Sequence, residues 1–185
     1  TDGSCDLSGN VTVKTNGVLN VDGGLLDVAG TLTIADGAVV RQTGGSVNIG
    51  SGLAGNNEVL YIRSGGVLEI SGGTFRNNGR IRFDSGGIFR IIGDEATVSQ
   101  NQLPNANLGT DEFVLNETGV STLENTSWGD LGDCNFAING SAYTGVAADI
   151  VLFSGAVFNA ALGSNYSVTG LGTEDVDWTL TEVND

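Results

Sequence analysis

The chain has 185 residues, 39% of them hydrophobic, with 30 glycines, one proline, two cysteines and no histidine or methionine. That composition is too apolar for intrinsic disorder, and the length is ample for one continuous domain with its own core. A formal charge of −15 repels a phosphate backbone and argues against nucleic-acid binding, and no apolar run reaches the ~18 residues of a membrane span.

The charge is placed unevenly. Residues 1–90 hold all seven basic residues and eight acids, whereas residues 91–185 hold fourteen acids and no base. Three readings of the acidic half stand side by side: solubility in a salty or extracellular medium, divalent-cation binding, and pairing of an acidic end with an arginine-bearing one. The absence of methionine fits a processed secreted chain.

From the first residues onward the chain keeps a beat. Gly23-Gly24, Gly44-Gly45, Gly65-Gly66 and Gly86-Gly87 follow one another at 21-residue steps. Val28, Ile49, Ile70 and Ile91 keep the same step, as do Leu26, Val47, Leu68 and Phe89, and Asp2-Gly3, Cys5 and Leu7 extend the columns back by one unit. Each unit divides into thirds of seven residues, and within a third apolar and polar residues alternate, as in Leu32-Thr33-Ile34 and Ile81-Arg82-Phe83. Alternation is the signature of strands, and the paired glycines supply corners where a positive φ costs little.

The fold expected is all-β: a single-stranded parallel β-solenoid of about five triangular 21-residue coils over residues 1–106. Its inward ladders would be Leu26/Val47/Leu68/Phe89 and Val28/Ile49/Ile70/Ile91, with Asp6, Asp27, Asn48, Glu69 and Arg90 pointing outward between them. Residues 52–58 (GLAGNNE) look like a bulge, and Asn56-Asn57 and Asn77-Asn78 fall at a corner. After Gly93 the beat fails, and Asp94 to Leu108, with Pro104, reads as a loop or bulged coil. Strand-like runs resume at 113–115, 136–138, 150–153, 157–158, 166–168 and 178–180, so residues 107–185 are expected to form irregular coils and an antiparallel β cap.

The repeat of residues 2–106 resembles the right-handed parallel β-helix of bacterial surface passengers, adhesins, tail spikes and polysaccharide lyases. The stretch DIVLFSGAVFNAALGSNYSVTGLGTEDVDWTLTEV (149–183) resembles the closing segment of autotransporter-passenger or sorting-signal-bearing proteins. These resemblances imply an extracellular or cell-surface protein and specify no activity.

A search for chemistry selects no catalytic set. Solenoid hydrolases resemble one another in clustered aspartates with a histidine, which is missing here, and lyases carry calcium-binding acids with a basic residue. Arg90 would stack over Glu69, and Arg82 shares a strand face with Asp84, which a surface salt-bridge ladder explains equally well. Asp130-Leu131-Gly132-Asp133 and Glu174-Asp175-Val176-Asp177 are the best acid clusters for calcium, and a solvated acidic loop is the plainer reading. Thr12 and Thr33 align, but no regular threonine array follows, which argues against ice binding. Sequons at Asn10, Asn116, Asn125, Asn139 and Asn165 are hardly more than such a composition produces by chance.

Cys5 and Cys134 form an even pair in an apparently secreted chain, which favours a disulfide. In a steadily climbing solenoid they would lie roughly 30 Å apart at the ~4.8 Å strand spacing, beyond the ~7 Å Cα separation that a disulfide tolerates. Either the chain doubles back, or the bond joins stacked subunits, or both remain thiols. The function expected is therefore a non-catalytic structural or adhesive subunit that stacks head to tail as a homo-oligomer, with no cofactor. The alternative is a carbohydrate-binding or carbohydrate-active domain, engaging surface glycans through Tyr61, Trp128, Tyr143 or Trp178.

Overall fold

The computed structural model describes residues 3–53, 57–102, 109–127, 135–145, 149–155 and 166–170. Within them the protein is all-β. Strands β1 (Ser4–Leu7), β2 (Val11–Val13) and β3 (Val18–Val21) are followed by a second set of three, β4 (Leu25–Val28), β5 (Leu32–Ile34) and β6 (Val39–Gln42). A third set comprises β7 (Ser46–Ile49), β8 (Glu58–Ile62) and β9 (Val67–Ile70). In the fourth, one long strand, β10 (Gly73–Phe83), occupies two places and is followed by β11 (Ile88–Ile92). The remaining strands are β12 (Ala96–Gln102), β13 (Thr110–Val114), β14 (Leu123–Asn125), β15 (Phe136–Asn139), β16 (Phe153–Gly155) and β17 (Tyr166–Thr169).

Every pairing among these strands is parallel, and each strand pairs with its counterpart in the next set rather than with its sequence neighbour. Three ladders result. The first runs β1-β4-β7-β10-β12-β14-β16, the second runs β2-β5-β8 and joins the C-terminal half of β10, and the third runs β3-β6-β9-β11-β13-β15-β17. The parallel order therefore continues through β17. An antiparallel cap, Pro104, and the expected runs at 157–158 and 178–180 fall outside the described residues.

All eight expected core residues are buried, but they do not form two continuous columns. Val47 lies between Leu26 and Phe75 on the first ladder, whereas Leu68 lies between Val40 and Phe89 on the third. Likewise Ile49 meets Val28 and Asn77, whereas Ile70 meets Gln42 and Ile91. The cause is one insertion. Leu32 pairs with Leu60, Val39 with Val67 and Ser46 with Thr74, so all three ladders step by 28 residues here (32 to 60, 39 to 67, 46 to 74) instead of 21. The extra seven residues fall between β7 and β8 and match the spacing of successive strands in a set, so a 21-residue step from Val47 arrives one strand too early, on a strand of the same pattern.

The corner glycines divide in the same way. Gly24, Gly45 and Gly73 have φ of 70°, 65° and 76° and stack on one corner, where a Cβ on Gly45 would lie 2.5 Å from the Gly24 carbonyl oxygen. Gly65 and Gly86, with φ of 64° and 78°, stack instead above Gly37 on another corner. Gly23, Gly44, Gly66 and Gly87 are their chain neighbours and do not have positive φ.

One hydrophobic cluster draws residues from all three ladders. Phe75 of the first ladder meets Phe89 of the third at 5.8 Å between ring centroids, and Phe153 meets Phe113 and Phe136 at 5.0 and 4.9 Å. Burying each such side chain contributes about 2–3 kcal/mol. Residues 96–102, expected as a loop, form the seven-residue strand β12. Its alternation is present, but two of its inward residues are Gln100 and Gln102. The inward column Leu7, Val28, Ile49 thus becomes amide from Asn77 onward, through Gln100 and Asn125.

Candidate functional site

The outward face of the third ladder carries an alternating charge row. Arg41, Glu69, Arg90 and Glu112 occupy successive register positions on β6, β9, β11 and β13. Glu69 lies 3.4 Å from Arg41 and 3.0 Å from Arg90, and Arg90 lies 2.7 Å from Glu112. Burial works against the Arg90 cation, but its hydrogen bonds to Glu112 and Glu69 outweigh it and raise its pKa above the ordinary value. The expected outward column is accordingly split: Asp6, Asp27 and Asn48 belong to the first ladder, and Glu69 and Arg90 to the third. Arg82 pairs with Glu58 at 3.2 Å, not with Asp84, which Arg63 takes at 3.1 Å. Each of these arginines is paired with a carboxylate.

The outer face of the first ladder differs. Asp27, Asn48, Arg76 and Ser99 succeed one another in register on β4, β7, β10 and β12. Asn48 Nδ2 donates to Asp27 Oδ1 at 2.7 Å, Asn78 Nδ2 donates to Asn48 Oδ1 at 2.7 Å and to the Ile49 carbonyl at 2.8 Å, and Arg76 Nε donates to Asn78 Oδ1 at 2.9 Å. This relay fixes both amides and holds the guanidinium by its Nε edge. Beside it lies a groove of about 240 Å³, lined by Leu53, Arg76, Asn78, Ser99, Asn101 and Thr126, with Asn77 and Gln100 beneath. No described lining residue is acidic or nucleophilic beyond a hydroxyl, and these residues offer hydrogen bonds and one positive charge.

Two buried polar features lie inside. The side chains of Asn77 and Gln100 are 1% exposed, and Asn77 Oδ1 and both amide atoms of Gln100 have no hydrogen-bond partner among the described residues. Asp111 is 2% exposed with an unpartnered Oδ2, and burial pushes its pKa from the usual carboxylate value up to about 7. On the surface, Thr118 and Asn116 donate to Asp94, both at 2.6 Å, and lower its pKa.

The other sequence candidates disperse. Cys5 is in register with Leu26, as its column requires, yet it is exposed, and β1 pairs on one side only among the described residues. Cys134 lies outside the described residues, as do Trp128, Trp178 and the acid clusters 130–133 and 174–177. Tyr61 faces outward with the Arg63 guanidinium 5.3 Å from its ring centroid, and Tyr143 packs against the core, so neither is a bare aromatic platform. The Asn125 sequon is fully buried and inaccessible to glycosylation in the folded chain. Among the described residues no group of three metal-ligating side chains forms.

Arg76, Asn78 and Ser99 were not legible as a group because the 21-residue frame placed Asn48 and Arg76 on different faces. The signal present in the sequence was compositional: Arg76-Asn77-Asn78 is a cation among amides with no acid nearby. Comparison of the chain with family models, curated proteins and solved structures returns no significant match to any of the three.

Proposed function

We propose that the three ladders are the faces of one parallel β-solenoid, and that the protein is a non-catalytic, extracellular structural or adhesive module that joins end to end with further copies of itself. The observation that carries this reading is the stacking of successive strand sets in three ladders whose every described pairing is parallel, with β1, β2 and β3 as the first set. Each of these strands pairs on one side only among the described residues. Cys5 is exposed there, the inward Leu7, Val11, Val13 and Leu19 are only partly buried, and a hollow of about 320 Å³ lies between Leu19, Val21, Leu25 and Leu26. Strands with an unpaired side are a template for strand addition. A contact of this kind between two different ends does not close on itself, so it propagates as a filament. The acidic surface, the cysteine pair and the resemblance to surface passengers support an extracellular setting.

Negative-stain microscopy and sedimentation of the chain over a concentration series test this. Filaments or concentration-dependent oligomers are expected, and the edge variant Thr12→Pro/Asn20→Pro should abolish them while retaining the β-sheet circular dichroism. Wild-type protein that remains monomeric at high concentration, or that depolymerises a polysaccharide, would overturn the proposal.

A further inference from the structure

We infer that the groove beside Arg76 binds a carboxylated sugar residue of an acidic glycan. The first ground is charge. Arg41, Arg63, Arg82 and Arg90 each lie within 4.0 Å of a carboxylate. In a chain of net charge −15, Arg76 is held instead by a neutral amide, in a groove with no acid among its described lining residues, Glu124 lying one position beyond Ser99 in register. Lys14 and Arg80 also make no salt bridge among the described residues, but neither lines the groove. A cation kept apart from so many available carboxylates is left to pair with an anion from outside.

The second ground is geometry. The relay from Asp27 through Asn48 and Asn78 sets the orientation of each amide, and it engages only Nε of Arg76. The two Nη groups donate to no protein partner among the described residues, and a planar guanidinium edge matches a planar carboxylate through two parallel hydrogen bonds. Ser99, next in register to Arg76, makes no side-chain hydrogen bond among the described residues. Sugar hydroxyls both donate and accept, so they complement the Ser99 hydroxyl.

The third ground is size and lining. At about 240 Å³ the groove is smaller than the ~300–1,000 Å³ typical of drug-sized ligands, which suits one ring of a chain that continues along the surface. The described lining residues include no aromatic side chain, and what they offer a sugar is charge and hydrogen bonds. A neutral ring would leave Arg76 without an anion. The groove lies on β10, β12 and the residue after β14, several strands from the open edge at β1–β3, so occupancy does not depend on end-to-end assembly.

Backbone amide NMR of the full chain, titrated in parallel with tri-galacturonate, a neutral galactose trimer and inorganic sulfate, provides the test. Saturable shifts centred on Arg76, Asn78, Ser99 and Asn101 are expected with the acidic trimer, at least tenfold tighter than with the neutral one. Arg76→Gln should weaken binding at least tenfold and Ser99→Ala severalfold, whereas Arg82→Gln, on another face, should leave it unchanged. No saturable shift at the groove, equal affinity for the neutral trimer, sulfate binding as tight as the acidic sugar, or an unaffected Ser99→Ala together with Arg76→Gln would each overturn the assignment. Filaments without glycan binding would refute the groove alone, and binding without filaments would refute the assembly alone.

Discussion

Asp111 sits in register with Phe89, one strand along the third ladder, and Phe136 follows it on the other side. A carboxyl thus occupies a column otherwise filled by Leu19, Val40, Leu68 and aromatic rings. Burial raises its pKa to about 7 from the ordinary value of 3.8. The folded state therefore retains a proton that the unfolded chain has lost between about pH 4 and pH 7. Stability contributed by protonated Asp111 is complete at low pH, declines across that window and levels off above it, a loss of at most ~4 kcal/mol. Thermal melts from pH 4 to 8 should show this decline, and Asp111→Asn should flatten it and raise the melting temperature at pH 8. An unchanged slope in the variant would refute the assignment.

The charge row on the third ladder yields a second expectation. Arg90 bridges Glu69 and Glu112, and all three are only 19–28% exposed. Arg90→Ala would leave Glu112 without its cation and Glu69 with Arg41 alone, at a cost of about 1–2 kcal/mol, more than an isolated surface pair provides. Urea unfolding should register the loss, and adding salt should narrow the gap between variant and wild type.

Phe75 is fully buried between Val47 and Val98 and touches Phe89. Phe75→Ala should cost about 3–5 kcal/mol. Phe75→Leu should cost less than half of that. Equilibrium unfolding that finds the alanine variant within 1 kcal/mol of wild type would mean that β10 is not seated in the first ladder as described.

Glycine substitutions discriminate corner from surface. Gly45 has φ of 65°, and a Cβ there would fall 2.5–2.8 Å from the backbone of Gly23 and Gly24, whereas nothing lies within 4 Å of a Cβ on Gly9. Gly45→Ala should destabilise by more than ~1 kcal/mol, because both strain and collision apply. Gly9→Ala should change stability by less than ~0.5 kcal/mol, and a paired thermal-melt comparison checks both.

The alternation of side chains made the strands of residues 4–49 legible, since Leu26, Val28, Leu32 and Ile34 mark buried faces by hydrophobicity alone. The parallel order was legible too, because three-residue strands closed by glycines cannot form hairpins. What was hidden is register. Leu68 and Phe89 repeat the pattern of Leu26 and Val47 at the same interval, and no local property distinguishes one face from the next. β12 was hidden for a different reason: Gln100 and Gln102 face inward where an aliphatic residue would have declared a strand. The groove depends on the true register, since only the 28-residue step places Arg76 beside Asn48, and so it was not visible before the pairing was known. Asp111 was likewise anonymous, one of fourteen acids in its half of the chain.

The insertion before β8 has a broader consequence for how such a chain tolerates change in length. Because all three ladders absorb it as seven residues, it acts like a gear advanced by one tooth: the teeth still mesh, but different ones now meet. Length changes in multiples of seven preserve the packing while reassigning which side chains become neighbours on the outside. Duplication or loss of a seven-residue block is thus a route by which this architecture acquires new surface combinations, Arg76 beside Asn48 among them, without having to rebuild its interior.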